Sequence, residues 1–256
     1  FGEKVYKVTL NGGMSCPNRD GKLGSRGCIF CSAGGSGDFA ADAELSVTEQ
    51  IDSQIALLSA KRPIHKYIAY FQAYSNTYAD IKILREKYET VLSLKNVVGL
   101  SIATRADILD KETLEYLGEL NKKTFLWVEL GLQSSNDKTA QLINRGHDFR
   151  TFMKAAEQLR ERNIRVCVHI INGLPGETYD DMIKTVKDIS VLNINAVKIH
   201  MLYILKDTPL FKLYEKEKFS VMKREDYIQT VADQIELLPE EVIVERVTGD
   251  GKADDL

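Results

Sequence analysis

Three of the four cysteines lie close together near the start of the chain, in a loop rich in glycine. Cys16 is followed by the pair Cys28 and Cys31, which two residues separate. This spacing lets Cys28 and Cys31 bind one metal centre, and Cys16 can reach the same centre across the flexible loop. Thiolates bind zinc and iron, so the loop predicts a metal site made by Cys16, Cys28 and Cys31.

The number of thiolates favours iron over zinc. A structural zinc site has four protein ligands, and the loop contains no histidine that could be the fourth. A four-iron cluster held by three cysteines would leave one iron open to an exogenous ligand. Two alternatives stay open at this point: zinc with Cys167 or a remote histidine as the fourth ligand, and three unrelated buried thiols.

Composition narrows the class of protein. The 256 residues are 44% hydrophobic and 28% charged, which excludes a disordered, collagen-like or coiled-coil chain. No apolar run approaches the ~20 residues that cross a bilayer, so we expect no membrane partner. The net charge of −3 provides no global basic field for nucleic acid, and four cysteines are too few for a disulfide framework, so we expect a reducing, cytoplasmic setting. Because residue 1 is Phe, we treat the chain as a fragment of a longer one.

Short β-rich runs alternate with amphipathic segments, which indicates right-handed βα units and a parallel sheet. The runs predict strands over 5–11, 67–74, 97–105, 125–133, 164–171 and 195–202, and helices near 44–60, 79–93, 110–122, 135–162 and 177–192. Residues 209–256 predict two helices and a final strand over 241–248. We expect this extension to pack on a core of residues 1–208, within the same domain.

Each predicted strand has one apolar face and one mostly polar face. The polar set comprises Lys7, Thr9, Asn11, Tyr70, Gln72, Tyr74, Ser101, Arg105, Trp127, Glu129, Gln133, Cys167, His169, Lys198 and His200. A closed eight-stranded barrel fills its interior with Val, Ile and Leu, and a doubly wound sheet is apolar on both faces. The pattern therefore favours an α/β fold of another kind, a wide and incompletely closed barrel whose inner wall holds a large polar ligand. The alternative is that several of these side chains lie at strand ends, or that one register is shifted by a residue.

Several motifs together resemble the radical S-adenosylmethionine (SAM) enzymes. They are Cys28-Ile29-Phe30-Cys31, Thr104-Arg105-Ala106-Asp107, Glu129-Leu130-Gly131-Leu132-Gln133-Ser134, Arg145-Gly146-His147 and His169-Ile170-Ile171-Asn172-Gly173-Leu174-Pro175-Gly176-Glu177. The eleven residues between Cys16 and Cys28 exceed the usual three and resemble a branch near the Elongator catalytic subunit and the bacterial YhcC/YtqA-type proteins. The resemblance implies a partial (β/α)6 barrel with a cluster loop at 12–36.

The resemblance also implies cofactors and residue roles. In the family, a [4Fe–4S] cluster on three cysteines (here Cys16, Cys28 and Cys31) binds SAM and cleaves it to a 5′-deoxyadenosyl radical that abstracts hydrogen from the substrate. The positions it assigns to SAM are Phe30, Tyr74, Ser75, Arg105, Glu129, Gln133, Arg145, His169 and Gly173. The family's Gly-Gly-Glu motif is missing after strand two, where Tyr74 and Ser75 stand. Three residues of the polar set belong to no SAM motif: Cys167, Lys198 and His200. They are our candidates for contacting substrate or for donating a hydrogen atom or proton. Tyr203 and Lys206, which follow the sixth predicted strand, are further candidates.

The resemblance points to partners as well. It implies an electron donor such as flavodoxin or ferredoxin, and a role in tRNA wobble-uridine modification, from carboxymethylaminomethyl to aminomethyl. Residues 138–165 hold seven Lys or Arg against three acidic residues, an excess that favours contact with a phosphate backbone. We therefore expect the basic residues of 145–165 to bind tRNA. A radical SAM enzyme acting on a small metabolite or peptide, and a non-catalytic zinc or iron–sulfur binding module, remain as alternatives.

Overall fold

Seven parallel strands form one curled sheet, a half-barrel, in the computed structural model, which describes residues 1–35, 37, 40–59 and 65–249. The strands are β1 (Val5–Leu10), β2 (Lys66–Phe71), β3 (Val97–Thr104), β4 (Phe125–Gln133), β5 (Arg165–Asn172), β6 (Ala196–Met201) and β7 (Ile243–Arg246). Each strand pairs with the next one in the sequence. A doubly wound sheet reverses its strand order at a switch point, whereas this order never reverses, as in a barrel. The predicted α/β fold with an incompletely closed barrel is confirmed.

Helices follow the strands and cover the outside of the sheet. They are α1 (Val47–Ser59), α2 (Ile81–Ser93), α3 (Lys111–Lys123), α4 (Asp137–Leu142), α5 (Phe149–Arg160), α6 (Tyr179–Ser190), α7 (Pro209–Glu215) and α8 (Arg224–Glu236), with a 3-10 turn at Ala106–Ile108. Local capping sets where several of them begin. Asp110 accepts a hydrogen bond from the Thr113 N–H, and Thr178 and Asp181 form a reciprocal capping box.

The prediction of one helix over 135–162 is wrong, because the segment contains two helices, α4 and α5. Between them the backbone turns through two left-handed residues, Asn144 at φ 55° and Gly146 at φ 84°. Such residues end a helix, and Asp148 then caps α5 by accepting from the Thr151 N–H. The interruption brings Arg145 onto a turn at the carboxyl ends of the strands.

The apolar faces of the strands form the main core against the helices. Its strand residues, each at most 1% exposed, include Val8, Leu10, Leu100, Ile102, Val128, Leu130, Val168, Ile170, Val197 and Ile199. They pack on helix residues such as Leu117, Phe152 and Val186. Each buried side chain of this size contributes roughly 1.5–3 kcal/mol to stability. The predicted alternation is confirmed, and it leaves the polar face of every strand turned into the barrel.

The C-terminal segment continues the same sheet. Strand β7 is shorter than the predicted 241–248 and pairs in parallel with β6. Helix α8 packs on α6, and the buried amides of Gln234 and Asn172 exchange two hydrogen bonds of 2.8 and 2.9 Å. This pairing fixes α8 to the end of β5. Within the described residues, every helix is too short or too polar to span a bilayer.

Candidate functional site

A cavity of about 500 Å³ occupies the inside of the barrel. This volume lies within the range of about 300–1,000 Å³ that is usual for small-molecule sites. It brings together most of the predicted site residues: Cys16, Cys28, Phe30, Cys31, Tyr74, Ser75, Arg105, Glu129, Gln133, Arg145, His169, Lys198 and His200 line it. Residues distant in the sequence thus meet because the carboxyl ends of parallel strands share one edge of the sheet.

The three cysteines of the loop lie at the mouth of this cavity. Cys28 is buried, and its Sγ accepts hydrogen bonds of 3.9 Å from Asn18 Nδ2 and from Arg145 Nη1. A hydrogen bond from Cys31 lowers the pKa of Cys28 to about 5, since the positive charges of Arg145 and Arg105 act with it and outweigh the opposing effect of burial. Cys28 is therefore a thiolate at neutral pH, the form that binds metal.

The loop is held in place by side chains on both sides of it. Arg19 donates to the carbonyls of Cys31 at 3.2 Å and Ser32 at 2.5 Å. Tyr74 Oη donates to the Ala33 carbonyl at 2.6 Å, with the Tyr74 backbone in the left-handed region at φ 60°. Tyr74, which we predicted to contact SAM, thus lines the cavity and also anchors the loop. Arg19 was missed by the sequence reading, although it lies three residues after Cys16.

Cys167 is not placed to be the fourth ligand of a zinc ion in the loop. It is fully buried with Trp127 and does not line the cavity, and its Sγ lies within 4.8 Å of ligand atoms of Glu129 and His169. A structural zinc site has four protein ligands. Cys16, Cys28 and Cys31 therefore meet at the cavity without Cys167, which favours a centre that leaves one position open.

Two buried arginines lie beside the cysteines. Arg105 is 3% exposed and binds Asp107 through Nε at 2.9 Å and Nη2 at 2.8 Å, while Arg145 is 5% exposed and donates to the Gly131 carbonyl. Arg105 Nη1 and Arg145 Nε have no hydrogen-bond partner among the described residues. Buried N–H donors of this kind are normally satisfied. Both arginines line the cavity, so positive charge lies beside the thiols, where it suits an anionic ligand.

A bulge at the end of β4 shapes this part of the wall. The register shifts between Gly131 and Gln133, and Gln133 has φ 75°. A Cβ added to Gly131 would lie 2.7 Å from Gln133 Nε2 and 3.0 Å from Arg145 Nη2. Glycine at position 131 therefore lets the side chains of Gln133 and Arg145 approach each other at the cavity wall.

Six polar side chains form a network at the base of the cavity, which we call the floor network: Lys7, Ser101, Glu129, His169, Lys198 and Glu245. The Glu129 carboxylate is its centre and is fully buried. It accepts from Lys7 Nζ at 2.8 Å, Ser101 Oγ at 2.5 Å, His169 Nε2 at 2.7 Å and Lys198 Nζ. Burial alone would raise the pKa of Glu129, but Lys198, His169 and Lys7 hold it well below its usual value. The carboxylate is ionised and its charge is fully compensated.

A second group lines the wall beside β6 and β7. The rings of His169 and His200 lie 5.3 Å apart, centroid to centroid. Burial holds the pKa of His200 well below its usual value, and the nearby positive charges of Arg246 and Lys198 act in the same direction. Tyr203 and Arg246 line the cavity next to His200. Of these, Arg246 was missed because the sequence reading assigned its strand to an extension outside the barrel.

Three predicted residues, Cys167, Gly173 and Lys206, do not line the main cavity. Cys167 packs with Trp127 and Ala196, and its Sγ lies within 4.8 Å of ligand atoms of Glu129 and His169 in the floor network. Gly173 lines a separate, smaller cavity with Leu174, Pro175 and Glu177, and its N–H donates to Met182 Sδ. The roles assigned to these three residues stay predictions, because none of them lines the main cavity.

Family comparison agrees with this geometry. Residues 22–189 match the model of the radical SAM superfamily, and residues 194–256 match the radical SAM C-terminal domain. The uncharacterized protein YtqA of Bacillus subtilis is 51% identical over 98% of this chain and 78% of its own length, and YhcC of Escherichia coli is 38% identical over 98% of the chain and 81% of its own. A tRNA uridine(34) acetyltransferase of Methanocaldococcus infernus is 26% identical over 60% of the chain and 29% of its own length.

A solved structure shows the same fold. The archaeal Methanocaldococcus infernus Elp3 superposes with a TM-score of 0.74 at 19% identity, over 98% of this chain and 58% of that one. At this level of identity the likeness concerns the fold alone. The predicted resemblance is confirmed by the family model and by the two bacterial relatives. The chain belongs to the radical SAM superfamily.

Proposed function

We propose that the protein is a radical SAM enzyme that carries a [4Fe–4S] cluster on Cys16, Cys28 and Cys31 and binds SAM in the barrel. The observation that carries the proposal is that these thiols line one cavity together with two buried arginines, Arg105 and Arg145, each of which has one buried N–H donor without a partner among the described residues. Cys16, Cys28 and Cys31 would hold the cluster, and it would supply the one electron that breaks the C5′–S bond of SAM into methionine and a 5′-deoxyadenosyl radical for hydrogen abstraction from the substrate.

The chain's own residues bind SAM and orient it. Arg145 faces both Cys28 and the bulge at Gly131, so its guanidinium suits the SAM carboxylate next to the cluster. Gln133 and Ser75 line the same wall and offer polar contacts to the amino and ribose groups. Phe30 is half-buried against an apolar cluster around Ile143 and Leu202, which favours a place beside the adenine.

The floor network limits how far a ligand enters the barrel. Glu129 is saturated by four donors, so it holds His169 and Lys198 in fixed positions. Burial lowers the pKa of His169 more than the Glu129 contact raises it. A neutral His169 that donates to Glu129 through Nε2 has an unprotonated Nδ1, which can only accept a hydrogen bond. The network thus supports a rigid, charge-balanced base under the reacting groups.

The test of this function is anaerobic reconstitution with iron and sulfide, followed by measurement of cluster content and of 5′-deoxyadenosine formed from SAM and dithionite. We expect a four-iron cluster and 5′-deoxyadenosine from the wild type, and neither from Cys31→Ala. Cys167→Ala is the matched control, because Cys167 lies away from the cavity mouth and should leave the cluster content unchanged. One zinc ion per chain, no sulfide and no SAM binding would instead identify a metal-binding module.

For the substrate we propose a tRNA carrying a carboxymethylaminomethyl group on the wobble uridine, which the enzyme converts to aminomethyl. Hydrogen is removed from the carboxymethyl carbon, SAM acts as the two-electron oxidant and leaves as methionine and 5′-deoxyadenosine, and water cleaves the resulting imine to release the carboxymethyl group as glyoxylate. Support comes from the similarity to a tRNA uridine(34) acetyltransferase and from exposed cations on α4 and α5. The basic residues of 145–165 that we expected to bind tRNA need correction. Arg145 is buried at the site and Arg165 stacks on the Phe125 ring at 4.5 Å, so neither is free for phosphate.

The exposed cations of this region are Lys138, Arg150, Lys154 and Arg160, which we call the basic face. Helices of βα units begin at the carboxyl edge of the sheet, so Lys138 and Arg150 lie on the same side of the barrel as the cavity mouth. Incubation of the reconstituted enzyme with tRNA bearing the carboxymethylaminomethyl group, followed by nucleoside analysis, tests the proposal. Turnover of SAM without any change in that tRNA would favour a small metabolite or peptide as substrate.

A further inference from the structure

The wall of the cavity beside β6 and β7 contains a small unfilled recess. A Cβ added to Gly249 would lie 3.4 Å from His200 Nδ1, 3.6 Å from Arg246 Nη1 and 3.6 Å from Tyr203 Cε2. Three side chains therefore converge on one point, and the glycine leaves the space between them open. All four residues line the main cavity. The recess belongs to β6, β7 and the residues after them, whereas the cysteines come from the loop after β1.

The charges around the recess are unbalanced. Lys7 and Lys198 each contact both Glu129 and Glu245, so the two lysines and the two acids of the floor network neutralise one another. Arg246 makes no ion pair with any of the described residues. Among the residues that the structure describes, one positive charge, that of Arg246, therefore remains without an ion pair on the cavity wall next to His200.

His200 adds a hydrogen-bonding group to this charge. Its Nδ1 is the ring nitrogen beside the recess, while its Nε2 is buried and has no partner among the residues that the structure describes. A neutral imidazole carries one N–H donor and one acceptor, so Nδ1 donates to a ligand in the recess when it carries the proton. A ligand that accepts hydrogen bonds and carries negative charge would therefore pair with His200 Nδ1 and Arg246 together.

We propose that Arg246, His200 and Tyr203 form a subsite that binds a carboxylate group of the substrate, on the wall formed by β6 and β7. A guanidinium binds a carboxylate through two parallel N–H bonds, and one arginine with one neutral imidazole balances a single negative charge. A phosphate ester of higher charge would need further cations, which the floor network has already paired. This inference rests on the proposed function, which places a substrate in the cavity. It adds the chemical group of that substrate, a carboxylate, that the cavity wall recognises. The carboxymethylamino group of the proposed tRNA substrate carries such a carboxylate.

The first experiment compares two nucleosides that differ only in this group. Isothermal titration calorimetry on the reconstituted holoprotein with SAM would measure the Kd of 5-carboxymethylaminomethyluridine and of 5-aminomethyluridine. We expect the carboxylate nucleoside to bind about tenfold tighter or better, since hydrogen bonds to charged groups are worth this much. Arg246→Gln should abolish the difference and Arg246→Lys should retain part of it. Arg224→Gln, at an exposed position on α8, is the matched control and should keep the full difference.

A second variant leaves every charge in place. Gly249→Ala adds a methyl group at ordinary contact distance from its neighbours, so it should fold, but it occupies the recess. We expect it to weaken binding of the carboxylate nucleoside and to leave 5-aminomethyluridine unaffected. Equal Kd values for both nucleosides in the wild type and in Arg246→Gln would argue against recognition of this group on the uridine.

A third measurement separates the subsite from the tRNA proposal. N-methylglycine contains the carboxylate but no uridine, and histidine-labelled holoprotein can be titrated by NMR with and without it. A bound carboxylate favours the charged imidazolium, so the pKa of His200 should rise in the wild type and not in Arg246→Gln. If this rise occurs while the nucleosides do not differ, the subsite stands and the tRNA substrate is wrong. An unchanged His200 pKa would overturn the subsite, whatever the outcome of SAM cleavage.

Discussion

Lys7 on β1 and Glu245 on β7 form an ion pair with 2.6 Å between Nζ and Oε2. Their strands are the two edges of the sheet, and in the described residues β1 pairs with β2 alone and β7 with β6 alone. Lys198 also reaches Glu245, at 3.4 Å. The gap in the barrel is therefore bridged by side chains across its interior, not by backbone hydrogen bonds. This bridge fixes the last strand, which carries Arg246, against the first.

Loss of the bridge should loosen β7. In Lys7→Met the apolar stem is kept but Glu245 loses its shorter ion pair, so we expect faster hydrogen exchange at the amides of 243–246. Lys66→Met is the matched control, since its ion pair with Glu3 is exposed and lies away from β7. Equal exchange at β7 in both variants would show that pairing with β6 alone fixes the strand.

Glu129 should be among the most sensitive positions for stability. Glu129→Gln removes the charge that compensates buried Lys198, and breaking such a pair costs about 3–5 kcal/mol in the free energy of unfolding. Glu119→Gln removes half of the exposed Arg85–Glu119 pair and should cost under about 1 kcal/mol. Urea denaturation at pH 7 measures both. If both variants lose little stability, Glu245 alone must compensate the charges of Lys7 and Lys198.

The same carboxylate predicts how stability changes in acid. The pKa of Glu129 is held well below its usual value in the folded protein. The stability it contributes is therefore present above the ordinary carboxyl pKa of about 4.3 and is lost as the pH falls further. Between pH 6 and pH 3 the wild type should lose more stability than Glu129→Gln does. Parallel losses in the two proteins would contradict this prediction.

Glu177 predicts a change of the opposite sign near neutral pH. Burial raises the pKa of this carboxyl from 4.5 to about 7, against the hydrogen bond that Ser134 donates to it. Between these values the folded protein holds a proton that the unfolded chain releases, so stability falls as the pH rises from about 4.5 to 7. The Tm of Glu177→Gln should decline less than that of the wild type between pH 5 and pH 8. Glu157→Gln, at an exposed position on α5, controls for loss of a negative charge.

Alternation along the strands is the part of the site that the sequence could predict. Because side chains alternate with a period of two, the residues at 7, 129, 169 and 198 were assigned correctly to the barrel interior. Alternation predicts on which face of the sheet a side chain lies, but not how far along the barrel axis it lies. Cys167 shows the difference, since it shares the inner face with His169 yet lies one layer lower, beside Trp127.

Turns and late strands were harder to predict, for physical reasons. Residues 135–162 have continuous helical spacing, and the break depends on the left-handed backbone of Asn144 and Gly146, which spacing does not report. The place of β7 depends on pairing with β6 over more than forty residues of intervening chain. Sequence analysis therefore found Glu129 and Lys198 but missed Glu245, which pairs with Lys7 and Lys198, and Arg246, which lines the cavity.

The basic face on α4 and α5 gives the most direct test of nucleic-acid binding. Each lysine or arginine that contacts a phosphate contributes roughly 0.7–0.9 to the slope of log K against log salt. Changing Arg150, Lys154 and Arg160 together to Ala should therefore lower the slope for tRNA binding by about 2–3 and weaken binding most at low salt. The same change at three exposed lysines of α3 (Lys111, Lys122 and Lys123) removes equal charge and should leave the slope nearly unchanged. Equal effects of the two triple variants would mean that tRNA responds to net charge and does not bind this face.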